Sequence, residues 1–285
     1  MIWFWLKNSR IFSLPMAILS WLVIFVYTLK NGGNILNGVI ALIGISFAQL
    51  ATNLFDDYMD YKNLPPNSQQ AKCAYIKEGK VTLNDVLKVI VIYLTVATLT
   101  GLFLFLRCGL PVIELAVIGG IITLSYPKMS QKGLSEVAVG ITFGPLLFEG
   151  VYFVMTGNFS IDVFILSLAV VMFTIGLMYT HTVLDFEGDM YSHKKTLVCR
   201  LGNKTRAING VFVVYGLGYL FTIILAYTMH NYDILATFVL VPLVFNLRNS
   251  LKSFKCGGDE KEFYFRLLKA RNLMVYYSLI LTCCF

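Results

Sequence analysis

Residues 35–55 read ILNGVIALIGISFAQLATNLF, and residues 56–62 continue as DDYMDYK. The first stretch carries no charge across 21 positions, close to the roughly 20 apolar residues an α-helix needs to cross a hydrocarbon core. The second sets Asp56, Asp57 and Asp60 at its tip. The same design recurs later in the chain. Residues 161–180 form another apolar run, and 179–202 read YTHTVLDFEGDMYSHKKTLVCRLG, with Asp185 and Asp189 at the tip.

Composition sets the environment of these two units. Of the 285 residues 57% are hydrophobic and 14% charged, with a mean hydropathy of +0.72. A soluble domain holds about 45–50% apolar and about 25% charged residues, and a single core of this size cannot hide the surplus. Disorder, collagen and disulfide-scaffold classes fail on the same figures. What remains is an all-α polytopic membrane protein, because only helices and closed barrels satisfy their own backbone groups in lipid. Apolar runs near 11–29, 35–55, 84–106, 109–127, 134–156, 161–180, 209–229, 233–247 and 273–285 give nine expected transmembrane helices around a central cavity, in a single domain over 1–285.

The net charge of +7 reports topology rather than nucleic-acid binding. With the N-terminus inside, 20 of the 23 Lys and Arg residues fall in inner connections, while Lys30 and Arg107 lie outside and Lys88 just within a span. This places the N-terminus and both acidic tips at the cytoplasmic face of a bacterial-type inner membrane. Two inner connections, near 56–83 and 181–208, are long and rich in Asp. The latter half of a third, 248–271, reads as a basic amphipathic helix lying on the anionic leaflet. The opening MIWFWLKNSR and the apolar run after it lack a signal-peptide cleavage site. Cys73, Cys108, Cys199, Cys256, Cys283 and Cys284 show no metal-like spacing and read as small apolar filler.

Should the second helix continue past the membrane, Asn53, Asp56, Asp57 and Asp60 share one stripe at spacings of three, four and seven. Like charges stacked so are destabilising, and a cation is expected to repair them. Asp185 and Asp189, four apart, share a face in turn, with Lys194, Lys195 and Arg200 close behind, while Glu187 points elsewhere. Two sets of hard oxygen donors without a thiolate or imidazole set suit Mg²⁺. His181 and His193 flank the second set as positional residues rather than ligands. The plain alternative is a pair of solvated helix caps; two sets matched in side, spacing and placement weigh against it. Carboxylates and cations above an apolar chamber fit a ligand with a polyanionic head and a greasy tail, such as a polyprenyl diphosphate.

NLFDDYMDYK, YPKMSQKGLSEVAVGITFGPLLFEGVYFVMTG and HTVLDFEGDMYSHKKTLVCRLG, in this order and spacing, resemble the UbiA superfamily of intramembrane prenyltransferases, in its 1,4-dihydroxy-2-naphthoate (menaquinone-type) branch. The resemblance implies a nine-helix bundle and Mg²⁺-dependent transfer of a prenyl group from its diphosphate to an aromatic, quinone-precursor-like acceptor. It matches Asn53, Asp57 and Asp60 to the first acidic motif, with Asp56 where Asn is commoner, and Asp185 and Asp189 to the second. Lys194 and Lys195 match the trailing basic pair, and Tyr126 and Lys128 the loop between the fourth and fifth helices. Relatives carry a further Asp after the first motif and an Arg-Pro pair beyond it. Here those regions read NLPPN at 63–67 and AKCAYIKEGKVT at 71–82, with Lys72 or Lys77 as the replacement for the missing Arg.

On this basis Asp57, Asp60, Asp185 and Asp189 are the expected catalytic metal ligands, joined by Asp56. Asn53, Tyr126, Lys128, Lys194, Lys195 and Glu149 are the expected substrate contacts. Charge inside a span is a functional hypothesis by default. Glu149 is therefore read as facing the cavity toward the acceptor, Glu114 as reaching the outer interface, and Glu136 as a helix N-terminal partner or an acceptor contact. A UbiA-type terpene cyclase working without an acceptor is the second reading, and a catalytically dead lipid-binding homologue a third. A transporter is disfavoured, since it would place charge near the midplane on broken helices.

Overall fold

The computed structural model describes residues 2–63, 73–191, 195–254 and 260–285. Among these, every element is helical. A short amphipathic α1 (Ile2–Asn8) leads through a turn into α2 (Pro15–Lys30), and α3 (Ile35–Asn63) returns as one unbroken helix of 29 residues. The apolar run and its acidic tip are thus a single rod, with the tip projecting beyond the length a bilayer needs. After the short α4 (Ala74–Lys77), α5 (Leu83–Cys108) begins at a reciprocal cap. Thr82 Oγ1 accepts from Asp85 N, and the Asp85 carboxylate accepts from Thr82 N. Gly109, at φ 88°, ends α5, and Pro111 opens α6 (Pro111–Gln131), the position where its missing N–H costs nothing.

The fifth span is composite. α7 (Ser135–Ile141) passes through a π-helical turn over Thr142–Leu146, kinked at Gly144 before Pro145, into α8 (Leu147–Thr156). The second acidic unit follows as α9 (Ile161–Leu184) and α10 (Phe186–Tyr191), then α11 (Leu197–Arg200) and α12 (Lys204–Thr228). A 3₁₀ stretch, Tyr232–Leu240, runs into α13 (Val241–Lys252), and α14 (Glu260–Cys284) closes the chain.

Among the described residues eight helices are long and apolar enough to span a membrane. α14 is the ninth long helix, at 25 residues, and its apolar run is interrupted by Lys269 and Arg271. This corrects one expectation: the basic stretch ahead of 273 is not a separate helix lying on the leaflet but the first half of α14. Its residues Arg266, Ala270, Leu273, Met274 and Tyr277 form one buried stripe, and Arg266 donates to Ser250 O at 2.9 Å and Glu262 Oε1 at 2.8 Å.

Between helices in lipid, close packing and hydrogen bonds replace the hydrophobic drive. At the centre Tyr277 of α14 stacks on Phe173 of α9 at 3.6 Å and shares a hydrogen bond with Thr222 of α12 at 2.7 Å. Gly210 lets α12 approach α9 so closely that a Cβ there would lie 2.0 Å from the Tyr179 hydroxyl, which donates to Ala207 O. Large apolar side chains such as Val91, Ile92, Leu99, Ile121 and Leu124 face outward, as lipid contact requires. Among the described residues the cysteines are free thiols; Cys256 lies outside them.

Two hydrogen bonds fix the relation of the acidic rods. Asn34 N donates to Met155 O at 2.8 Å and Asn37 Nδ2 to Val154 O at 2.6 Å, so α3 begins beside the end of α8, where α9 also begins. α3 and α9 therefore run parallel, with their acidic tips at the same end of the bundle.

Candidate active site

At the tip of α3 the carboxylates face inward: Asp56 is 3%, Asp57 1% and Asp60 8% exposed. Solvated caps would lie open to water, so that reading fails for this tip. The cation that repairs the stripe comes from the other side of the sequence. Arg10, in the turn between α1 and α2, donates from Nη2 to Asp57 Oδ1 in a close ion pair and lies 3.6 Å from Asp56 Oδ2. Its backbone is left-handed (φ 58°, ψ 51°), which costs a non-glycine residue roughly 1–2 kcal/mol and is held by these pairs. Burial alone would lower the Arg10 pKa, but Asp57 and Asp56 more than compensate and keep the guanidinium above its ordinary value.

The other Asp57 oxygen is also engaged. Tyr75 of α4 donates its hydroxyl to Oδ2 at 3.3 Å, and the Cys73 thiol reaches the Asp57 carbonyl at 3.2 Å. Burial first, then the Asp57 carboxylate, push the Tyr75 phenol above its usual range, so it remains a donor. α4 thus folds over the tip, on an apolar base of Leu50, Leu54, Ile76, Val86 and Ile90. Asn53 orients the N-terminal segment, donating to Ser9 O at 2.9 Å and Ser13 Oγ at 3.0 Å. Tyr126 of α6 stands in the field of Asp56, Arg10, Glu136 and Asp60 together.

At the tip of α9, His181 Nδ1 lies 3.2 Å from Asp185 Oδ2, a positional role for that ring. Asp189 is buried, and Glu187 turns away to pair with Lys204 at 2.7 Å. Lys194 and His193 lie outside the described residues. Lys195 is exposed, as is Lys128 at the end of α6. The α6–α7 turn docks on the segment after the second motif: Arg200 Nη2 donates to Lys132 O at 2.6 Å, and a Cβ on Gly133 would come 1.8 Å from Lys195 O. At φ +69°, Gly133 is required on two counts. Gly133→Ala is expected to cost at least about 2 kcal/mol, lowering the melting temperature and cutting activity at least tenfold; a variant that melts and turns over like the parent would refute this docking.

The structure therefore brings Asn53, Asp56, Asp57, Asp60 and Tyr126 together, and sets Asp185, Asp189 and Lys195 at the same end. Glu149 is elsewhere: its Oε2 accepts from Ser160 N, beside the start of α9, about 36 Å along that helix from Asp185 by its 24-residue length. Glu114 is exposed near the start of α6. A groove of about 690 Å³ lined by Tyr232, Asp233, Ile280 and Cys284 shares no residue with the acidic tips. Arg10 and Tyr75 are the site residues that the sequence left unseen. Of the two lysines expected to replace the missing Arg, Lys72 lies outside the described residues and Lys77 is exposed.

The donor set suits Mg²⁺ in kind, being hard carboxylate oxygens. Among the described residues no three His, Cys, Asp or Glu side chains converge on one point as metal ligands do. At Asp57 the two oxygens are held by Arg10 and Tyr75.

A polytopic bundle whose parallel helices carry buried carboxylates at one end has the architecture of an intramembrane transferase acting on prenyl chains. The model of the UbiA prenyltransferase family matches residues 13–270, and the chain belongs to that family. It is 20% identical over 229 residues to UbiA prenyltransferase domain-containing protein 1 of Dictyostelium discoideum, covering 76% of this chain and 68% of that protein. It is 24% identical over 217 residues to 1,4-dihydroxy-2-naphthoate octaprenyltransferase of Haemophilus influenzae, covering 70% and 69%. A solved UbiA homologue from Archaeoglobus fulgidus, bound to DMAPP and Mg²⁺, superposes with a TM-score of 0.68 at 11% identity, over 97% of this chain and 98% of that one.

Proposed function

We propose that this prenyltransferase moves a prenyl group from a polyprenyl diphosphate to an aromatic, quinone-precursor-like acceptor within the membrane, with Mg²⁺ as cofactor. The observation that carries the reading is the buried stripe of Asp56, Asp57 and Asp60, its first two members paired with Arg10, at the same end of the bundle as Asp185 and Asp189. Buried carboxylates in such number are costly unless cations join them. The homologue bound to DMAPP and Mg²⁺ and the naphthoate octaprenyltransferase relative point to the same ligands.

In this reaction the allylic C–O bond breaks and its electron pair leaves with the diphosphate. A C–C bond forms to an aromatic ring carbon, and that carbon releases its proton. Asp57, Asp60, Asp185 and Asp189, with Asp56 beside them, would hold Mg²⁺, whose bound charge offsets that of the leaving group. Lys128, Lys195 and Lys194, the last outside the described residues, supply ammonium groups suited to phosphate. The apolar helices exclude water that would quench an allylic cation. The excess of Lys and Arg on one side supports a cytoplasmic N-terminus and acidic end in a bacterial-type inner membrane.

The test is product analysis. Purified protein with Mg²⁺ and geranyl, farnesyl or geranylgeranyl diphosphate is expected to release diphosphate and form a prenylated aromatic only when an acceptor is present. A cyclic hydrocarbon formed without acceptor would overturn transfer in favour of cyclisation.

A further inference from the structure

Glu136, the second residue of α7, is 5% exposed. Its Oε2 accepts from Ser135 Oγ at 3.0 Å, while its Oε1 is buried with no hydrogen-bond partner. Such an atom is costly in a folded protein and calls for a partner. Tyr126 of α6 and Tyr179 of α9 both feel its charge. Tyr179 cannot satisfy it, because its single O–H is committed to Ala207 O at 2.7 Å. Tyr126 ties the place to the first acidic motif, since the same phenol also feels the charges of Asp56 and Asp60.

A carboxyl oxygen that carries no proton accepts hydrogen bonds, so its complement is a donor. The diphosphate is excluded by its own negative charge. An aromatic hydroxyl fits both the oxygen and the flanking rings. Resting on the transfer reaction proposed above, we propose that Glu136 binds a hydroxyl of the aromatic acceptor and holds the ring beside the acidic stripe. Glu136 thereby selects hydroxylated aromatics, because a buried group built to bond a substrate O–H rejects the analogue that lacks it.

The experiment compares 1,4-dihydroxynaphthalene with 1,4-dimethoxynaphthalene as ligands of the full chain, alongside Glu136→Leu and Glu136→Gln. Affinities are read by fluorescence competition, and geranyl thiodiphosphate reports the donor site. The parent is expected to prefer the dihydroxy compound by roughly ten- to a hundredfold. Glu136→Leu should bring that preference within threefold of unity, and Glu136→Gln, which keeps a carbonyl acceptor, should fall between. Donor affinity and melting temperature should stay near the parent's in both variants. A hydroxy preference that survives in Glu136→Leu overturns the assignment, as it would if a bound water alone meets Oε1. Joint loss of donor binding and thermal stability overturns it too, by making Glu136 structural. A parent chain that binds the thiodiphosphate and transfers, with variants that keep the preference, spares the transfer reaction and sinks only Glu136. A parent that binds neither ligand defeats both.

Discussion

Replacing Asp57 by Asn is expected to slow prenyl transfer by roughly 10²–10³-fold, the scale seen when one electrostatic contact to developing transition-state charge is removed. The substitution keeps shape and removes charge. Asp57 is the most deeply buried of the three carboxylates on α3, and both its oxygens are held, by Arg10 and by Tyr75. An amide presents NH₂ to one of these two donors, so one attraction becomes a conflict and the carboxylate's share in binding metal is lost. Single-turnover release of diphosphate separates this from a folding defect, because Asp56 remains 3.6 Å from Arg10 as its counter-charge. Asp185→Asn should fall in the same range if the second tip serves the same reaction. A rate for Asp57→Asn within threefold of the parent would remove Asp57 from the chemistry.

How far the sequence foretold this arrangement differs from residue to residue. The spans were legible, since a lipid environment forces apolar runs to be helical. The continuation of α3 through Asp60 was legible as well, because the spacing of Asn53, Asp56, Asp57 and Asp60 makes sense only on a helix. A need for a cation was readable from the stacked charges, but not its source. Arg10 lies 47 residues before Asp57, in a turn whose left-handed backbone no propensity announces. Charge counting could place Arg10 only on the same side as the acidic tip. Tyr75 was hidden for a similar reason: within AKCAYIKEGKVT it looks like any loop aromatic until α4 folds back. The first half of α14 misled because its cations imitate a surface helix, whereas Arg266 is buried by bonding the end of α13. Glu136 was visible as a charge in a span, but its unpartnered oxygen depends on how α6, α7 and α9 meet.

The role of Arg10 gives the largest stability effect expected here. Arg10→Ala should destabilise the metal-free protein by about 3 kcal/mol, the lower end of the cost of stripping one partner from a buried ion pair. The lower end applies because the Arg10 side chain is 26% exposed, whereas those of Asp56 and Asp57 are 4% and 2% exposed. Asp56 and Asp57 then lose that guanidinium, and the field that Arg10 had filled favours a divalent cation. Millimolar Mg²⁺ should therefore restore much of the lost melting temperature in Arg10→Ala while changing the parent less, since ligand binding to the folded state alone stabilises by mass action. Mn²⁺ titrated into both proteins and followed by its electron paramagnetic resonance signal should bind the variant about tenfold more tightly, as expected from about 1.4 kcal/mol of relieved competition. Arg10→Lys keeps the charge but not the forked geometry that spans Asp56 and Asp57, and should lie between the two. If Arg10→Ala melts like the parent without metal, the guanidinium contributes nothing to holding the tip. If instead it melts low and Mg²⁺ does not rescue it, the carboxylates it faces are not the ones that take the cation.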